Sequence, residues 1–432
     1  MKRKQPSKGL RIGLILIYFL GMISIFFVVG ALLDQTGKEQ EMIPSPVVRM
    51  DSRSEVKKLS FKERLEQIKL SEVHLIGVDF SSNPFSDLIG DKGYSVTGRF
   101  CQLDWDNHKA DPSRVPMFKD LISASSNCKR TTFSVDLWQV VQDAKAYDAK
   151  NATTHAMSPK GFVFHESRCG STLVANSLAA FEPRRTRVYS ESGPPMDAAR
   201  AYSSSFEKQS IQLMQDVLYM MGRTSNSEEQ NLFFKIQSIG VKSMHIFRKA
   251  FPEVPFAFVY RDPVQVMMSH LKRRGVSRAV CLRQRNRPAR DTEELVRSID
   301  GNTDMNNLST EEFCAAHLAT LCQVATDQIK DSKGRGKLIN YSDLPKVLYD
   351  SIIPKHFGIG AISKEAKENI LTVNEMYSKG RQSGQLWEED NAKKEADAWQ
   401  EIKDASKKFM KPIYEEMERI RVKEQDTIFP IV

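Results

Sequence analysis

The sequence predicts an α/β fold: a three-layer, doubly wound and mainly parallel sheet, carried behind an N-terminal transmembrane helix. One observation predicts the sheet. From residue 160 onward, short apolar runs alternate with stretches of helical spacing, and strands that alternate with helices pair in parallel. A second observation predicts the anchor, because residues 12–33 form an uncharged, largely apolar run. With 432 residues and 41% hydrophobic content, the chain can bury one such core and still supply an anchor and a spacer.

Taken in order, residues 12–33 would make a helix about 33 Å long, enough to span a bilayer. Lys2, Arg3, Lys4, Lys8 and Arg11 precede the run, whereas Asp34, Glu39 and Glu41 follow it with Lys38. The positive-inside rule then makes residues 1–11 a cytosolic tail and the body lumenal, a type II topology. A cleaved signal peptide is the alternative, with Val29 and Ala31 spaced for cleavage. Either way the body enters the secretory pathway, where disulfides can form. Residues 34–75 read as a stem, with Pro44 and Pro46 and then a short amphipathic helix carrying Phe61, Leu65 and Ile68. Residues 76–158 hold the short apolar pieces VHLIGVDF and FSVDLWQVV and read as an extension packed on the main domain, residues 159–432.

Six cysteines, at 101, 128, 169, 281, 314 and 322, show no paired CxxC spacing, so thiol metal binding is not expected. Cys101 and Cys128 are either a bridge or plain core residues. Cys281, Cys314 and Cys322 would give one bridge and one thiol, and Cys314 with Cys322 is the unsuited pair, because eight helical residues span about 12 Å. The net charge of +9 suits anionic ligands, polyanionic acceptors or an acidic membrane face alike. Nucleic acid is not an expected partner, since no nucleic-acid motif accompanies the charge.

Chemistry concentrates at two strand-to-helix turns. In GFVFHESRCGSTLVANSLAAF a buried strand, Phe162 to His165, runs through a tight turn into a helix bearing Leu173, Val174 and Leu178. Such a turn points amides and a helix dipole at one place and suits phosphate or sulfate. Gly170 permits close approach, Ser171 and Thr172 add hydroxyls, and Arg168 adds fixed charge. The lysine of GxxxxGK[ST] is missing. A non-nucleotide anion site or an ordinary turn would read the same way. In FAFVYRDPVQVMMSHLKRR a strand ends at Tyr260, followed by Arg261, Asp262 as helix cap, Pro263 at the first helical position and Ser269 two turns on. Further strands are expected at RVYS around Val188, at NLFFKIQ and at KLINYSDL.

Together these two turns resemble the donor signatures of the sulfotransferase superfamily, in particular its membrane-anchored Golgi members that act on carbohydrates. The resemblance covers roughly residues 160–425. It implies 3′-phosphoadenosine 5′-phosphosulfate (PAPS) as co-substrate, no metal, and a hydroxyl acceptor on a glycan in the Golgi lumen. Arg168, Cys169, Gly170, Ser171, Thr172 and Leu173 would hold the 5′-phosphosulfate, and Arg261 with Ser269 the 3′-phosphate. Cys169 departs from the common Ser; the change is harmless if only its amide is used, whereas a helix-start thiolate would be oxidisable. Lys379, Gly380 and Arg381 match the basic loop that closes over the donor, although a solvated loop looks the same. Glu191, in SESGPP, is the implied base, with a surface glutamate as the plain alternative, and Lys235 is placed to meet the sulfuryl group. His165 and His270 are the other candidate bases, each readable as structural, and Tyr341 reads as core. Residues 271–290 carry positive charge that would line an acceptor groove or simply be solvated. Asn151 and Asn307 match the glycosylation pattern, while the match at Asn340 falls in an expected strand. Competing readings are a nucleotide-dependent phosphotransferase and a silent, membrane-anchored glycan-binding protein.

Overall fold

The computed structural model describes residues 59–86, 88, 91–271, 279–301, 304–376, 386 and 390–428. The expected tail, transmembrane run and most of the stem, residues 1–58, lie outside the described residues. Among those described, no helix is long and apolar enough to cross a membrane.

Among the described residues, ten strands form three sheets. β1 (His74–Asp79), β2 (Thr97–Cys101) and β3 (Phe133–Asp136) make an antiparallel sheet within the extension. β4 (His155–Ala156) pairs with β7 (Arg223–Thr224) in a short ribbon. β5 (Pro159–His165), β6 (Thr186–Ser190), β8 (Asn231–Lys235), β9 (Phe256–Tyr260) and β10 (Gly336–Asn340) form the core sheet, in the order β10-β9-β5-β8-β6 with every pair parallel.

These five strands are the ones expected from the sequence, and their near-continuous apolar runs fit a sheet covered on both faces. Phe162 and Phe164 face the helix Met244–Ala250 through Phe247, whereas Phe233 points the other way, onto Phe181 and Phe357. The helix Ser171–Ala180, buried along its whole length, leads from β5 to the far edge strand β6. The chain returns to β8 and then crosses to β9 on the other side of β5, so its winding reverses beside β5. Ligands of open α/β sheets sit at the carboxyl ends of strands where this reversal occurs.

The compact unit begins at Leu59. The helix Phe61–Lys69, expected in the stem, is tied into it: the Arg223 guanidinium donates to the Ile68 carbonyl (2.6 Å), the Lys69 carbonyl (2.8 Å) and the Asp148 carboxylate (2.6 Å). Disulfides join Cys101 to Cys128 and Cys281 to Cys314, leaving Cys169 and Cys322 as buried thiols. The charged segment from Asn391 is interrupted once, between Asn391–Ala396 and a helical run that continues from Gln400–Ala405 through Ser406–Met410 to Lys411–Ile428, because Ala398 turns inward and the Trp399 indole donates to Glu311 (3.1 Å).

Candidate active site

The candidate residues hang on the carboxyl ends of the core strands. Across the sheet the order is Tyr341 after β10, Arg261 after β9, the turn Glu166–Gly170 after β5, Lys235 ending β8 and Glu191 after β6. Parallel neighbours lie about 4.8 Å apart. The two sequence motifs are therefore adjacent, and the carboxylate with its lysine stands on the opposite flank of the same turn.

In that turn Ser167 (φ 85°), Arg168 (φ 57°) and Gly170 (φ 85°) all take left-handed backbone. Glycine is required at 170, because a Cβ there would come within 2.4 Å of the Tyr341 ring. Gly170 caps the helix Ser171–Ala180 without a side-chain hydrogen bond, and the Leu173 amide donates to the Gly170 carbonyl (2.9 Å), so an anion would be met by the amides before it. Ser171, Thr172 and Leu173 are buried and Arg168 is exposed. The thiol of Cys169 points down, donating to the Val259 carbonyl (3.0 Å), and burial pushes its pKa up to about 12. Desolvation therefore works against thiolate character at this helix start.

Arg261 is nearly buried. Its Nε donates to Gln265 Oε1 (2.8 Å), its Nη2 bonds Asn391 Oδ1 and Asp390 Oδ1 (3.2 Å), and its guanidinium lies 4.1 Å from the Tyr341 ring centroid. Asp262 caps the following helix by accepting from the Gln265 amide (3.1 Å), as its place in the sequence predicts. Ser269 donates to the Gln265 carbonyl (2.8 Å), so Arg261 and Ser269 both lean on Gln265. Lys394, also buried, pairs with Asp390 (2.7 Å). Burial lowers the Lys394 pKa, and the nearby Arg261 and Arg168 push the same way against Asp390. Three cations thus converge between the two turns.

On the other flank, the Glu191 amide donates to the Lys235 carbonyl (2.7 Å), and its carboxylate takes the Lys235 ammonium. Burial works against the Glu191 charge, but Lys235 and His165 outweigh it and hold the carboxyl well below its usual range. His165 Nδ1 accepts from the Ser167 amide (3.1 Å), which leaves the ring proton on Nε2, 3.6 Å from Glu191. Burial, helped by Lys235, lowers the His165 pKa to about 4. Burial thus favours the neutral ring of His165, whose Nε2 faces Glu191 without a hydrogen bond to it. His270, on the helix after β9, has β5 and β8 between it and Glu191. Lys379, Gly380 and Arg381 lie outside the described residues.

Sequence reasoning assigned no role to Glu166, Asp390, Asn391 and Lys394, and placed Tyr341 in the core, where it is buried. Glu166 stands in the turn itself, but its bond to the Arg261 amide forms only across the sheet, and Asp390, Asn391 and Lys394 reach the site only through the fold. A cavity of about 200 Å3, lined by Met268, Asp390, Lys393, Lys394, Asp397 and Trp399, opens beside Arg261. Among the described residues, no cluster of three or more His, Cys, Asp or Glu is placed to hold a metal.

What fold and site define is an α/β domain with two cation-bearing turns side by side at a switch point. No family model matches the chain, and no curated protein does. Three solved structures are similar. A sulfotransferase of Mycobacterium tuberculosis H37Rv has 14% identity and a TM-score of 0.33, over 62% of this chain and 81% of its own. The sulfotransferase domain of the curacin biosynthetic pathway has 13% identity and a TM-score of 0.35, over 58% and 98%. A sulfotransferase of Mycobacterium avium has 10% identity and a TM-score of 0.37, over 84% and 96%. At these values the likenesses carry no argument about the reaction, which has to be read from the strand ends.

Proposed function

We propose that this chain transfers a sulfuryl group from PAPS to a hydroxyl on a glycan in the Golgi lumen, held there by a type II anchor at residues 12–33. One observation carries the reading: the turn after β5 and Arg261 after β9 are neighbours, and the single ring of Tyr341 packs against both Gly170 and Arg261. One adenosine with an anion at each end suits that adjacency.

In this reading Arg168 and the amides of Cys169 through Thr172 receive the 5′-phosphosulfate, with Leu173 behind them. Arg261, Ser269 and Lys394 receive the 3′-phosphate, with Lys379, Gly380 and Arg381 closing over it. Glu191 removes the acceptor proton as the acceptor oxygen bonds to sulfur and the bond from sulfur to the bridging phosphate oxygen breaks. Lys235 turns from Glu191 to the sulfuryl oxygens, which relieves the depression of the Glu191 pKa when a base is needed. The turn amides and Arg168 take up the charge that grows on the leaving phosphate. Exposed Arg283, Arg287 and Arg290 favour an anionic acceptor. Two disulfides favour an oxidising compartment.

A phosphotransferase is less well supported, because the turn lacks the phosphate-reaching lysine. The test is transfer of labelled sulfate from PAPS to a panel of desulfated glycans, sterols and peptides. Label on a glycan hydroxyl is expected. Label on no member of the panel, or phosphate transfer from ATP instead, would overturn the reading.

A further inference from the structure

Between the two turns lies a buried acid that the proposed mechanism does not use. Glu166 is 1% exposed. Its Oε1 accepts from the Arg261 backbone amide (2.7 Å) and its Oε2 from the Cys322 thiol (3.1 Å), on the helix Thr310–Lys330. Its own amide donates to the Val259 carbonyl (3.2 Å), the same oxygen that accepts the Cys169 thiol. Glu166 therefore begins one turn and fixes the first residue of the other, ninety-five residues away. A buried carboxyl is costly to keep, and its retention calls for bonds that only this position makes.

We propose that Glu166 is a positioning residue that sets the separation of the two turns, so that a ligand with an anion at each end is preferred over a ligand with one. The inference rests on the donor-site reading above. Two turns held at a fixed distance bind a two-ended ligand without ordering each other first, which is preorganisation. A one-ended ligand gains nothing from it.

The test is calorimetric titration of the full chain with adenosine 3′,5′-bisphosphate and with adenosine 5′-phosphate. In Glu166→Ala the ratio of the two affinities should fall about fivefold or more, while 5′-phosphate affinity changes less than about twofold. Glu166→Gln, which keeps an acceptor for the Arg261 amide, should hold the ratio. An unchanged ratio in Glu166→Ala overturns the inference, and so does an equal loss for both ligands, the mark of a merely structural role. Should the alanine variant fail to fold, Glu166→Asp, one methylene short of the Arg261 amide, is read by the same outcomes. A wild-type chain that does not prefer the bisphosphate removes the donor-site reading itself, and the inference with it.

Discussion

Glu191 combines two properties that pull against each other in a general base: it is ionised and available, yet its Lys235 partner makes it a weak acceptor of protons. The proposed movement of Lys235 to the donor resolves this. Glu191→Gln should lower turnover at least about a hundredfold while bisphosphate binding survives; near-normal turnover would place the base elsewhere. Glu166 behaves in the opposite sense, burial raising its pKa from 4.5 to about 8. Between those values the folded chain holds a proton that the unfolded chain has released. The stability this contributes is complete below pH 4.5 and is lost as pH rises through about 8. Wild type should therefore lose more thermal stability between pH 5.5 and 8.5 than Glu166→Gln, by roughly 2 °C in melting temperature. Equal losses would mean that Glu166 titrates normally. At this scale the sequence was legible wherever a residue sits beside its own motif, as with Arg168, Gly170, Arg261 and the Asp262 cap. Tyr341 is core, as expected, and its contact with Gly170 and Arg261 has no local signal because it forms only once β10 has paired with β9.

Among the elements, the five core strands stand where their apolar runs lie in the sequence, but the order β10-β9-β5-β8-β6 is set by long crossovers that local spacing does not encode. The segment after the basic loop shows the same limit. Asn391–Ala396 carries only charged and small residues in the sequence, yet it docks on Arg261 and brings Asp390 with it. If Arg261 receives a phosphate as proposed, the carboxylate on it must yield when the donor binds. Asp390→Asn should tighten bisphosphate binding severalfold, and Arg261→Ala should weaken it by about 1–3 kcal/mol. Calorimetry of both variants checks the pair, and a weakened Asp390→Asn would show instead that Asp390 presents Arg261 to the ligand.

For the molecule as a whole, the disulfide pattern states how the extension and the segment after the helix Pro263–Leu271 are held. Cys101–Cys128 and Cys281–Cys314 close loops with separations of 27 and 33 residues, each worth about 3–4 kcal/mol by loop-closure entropy. Alkylation of the denatured, unreduced chain followed by peptide mapping should label Cys169 and Cys322 alone; label on any other cysteine would break the pairing. The larger claim is that two turns on neighbouring strands hold the two ends of one nucleotide. Metal-free calorimetric titration with adenosine 3′,5′-bisphosphate and with ATP tests it most directly. One bisphosphate should bind per chain, at least about tenfold more tightly than ATP. Equal or tighter binding of ATP, or no binding of the bisphosphate, would contradict it.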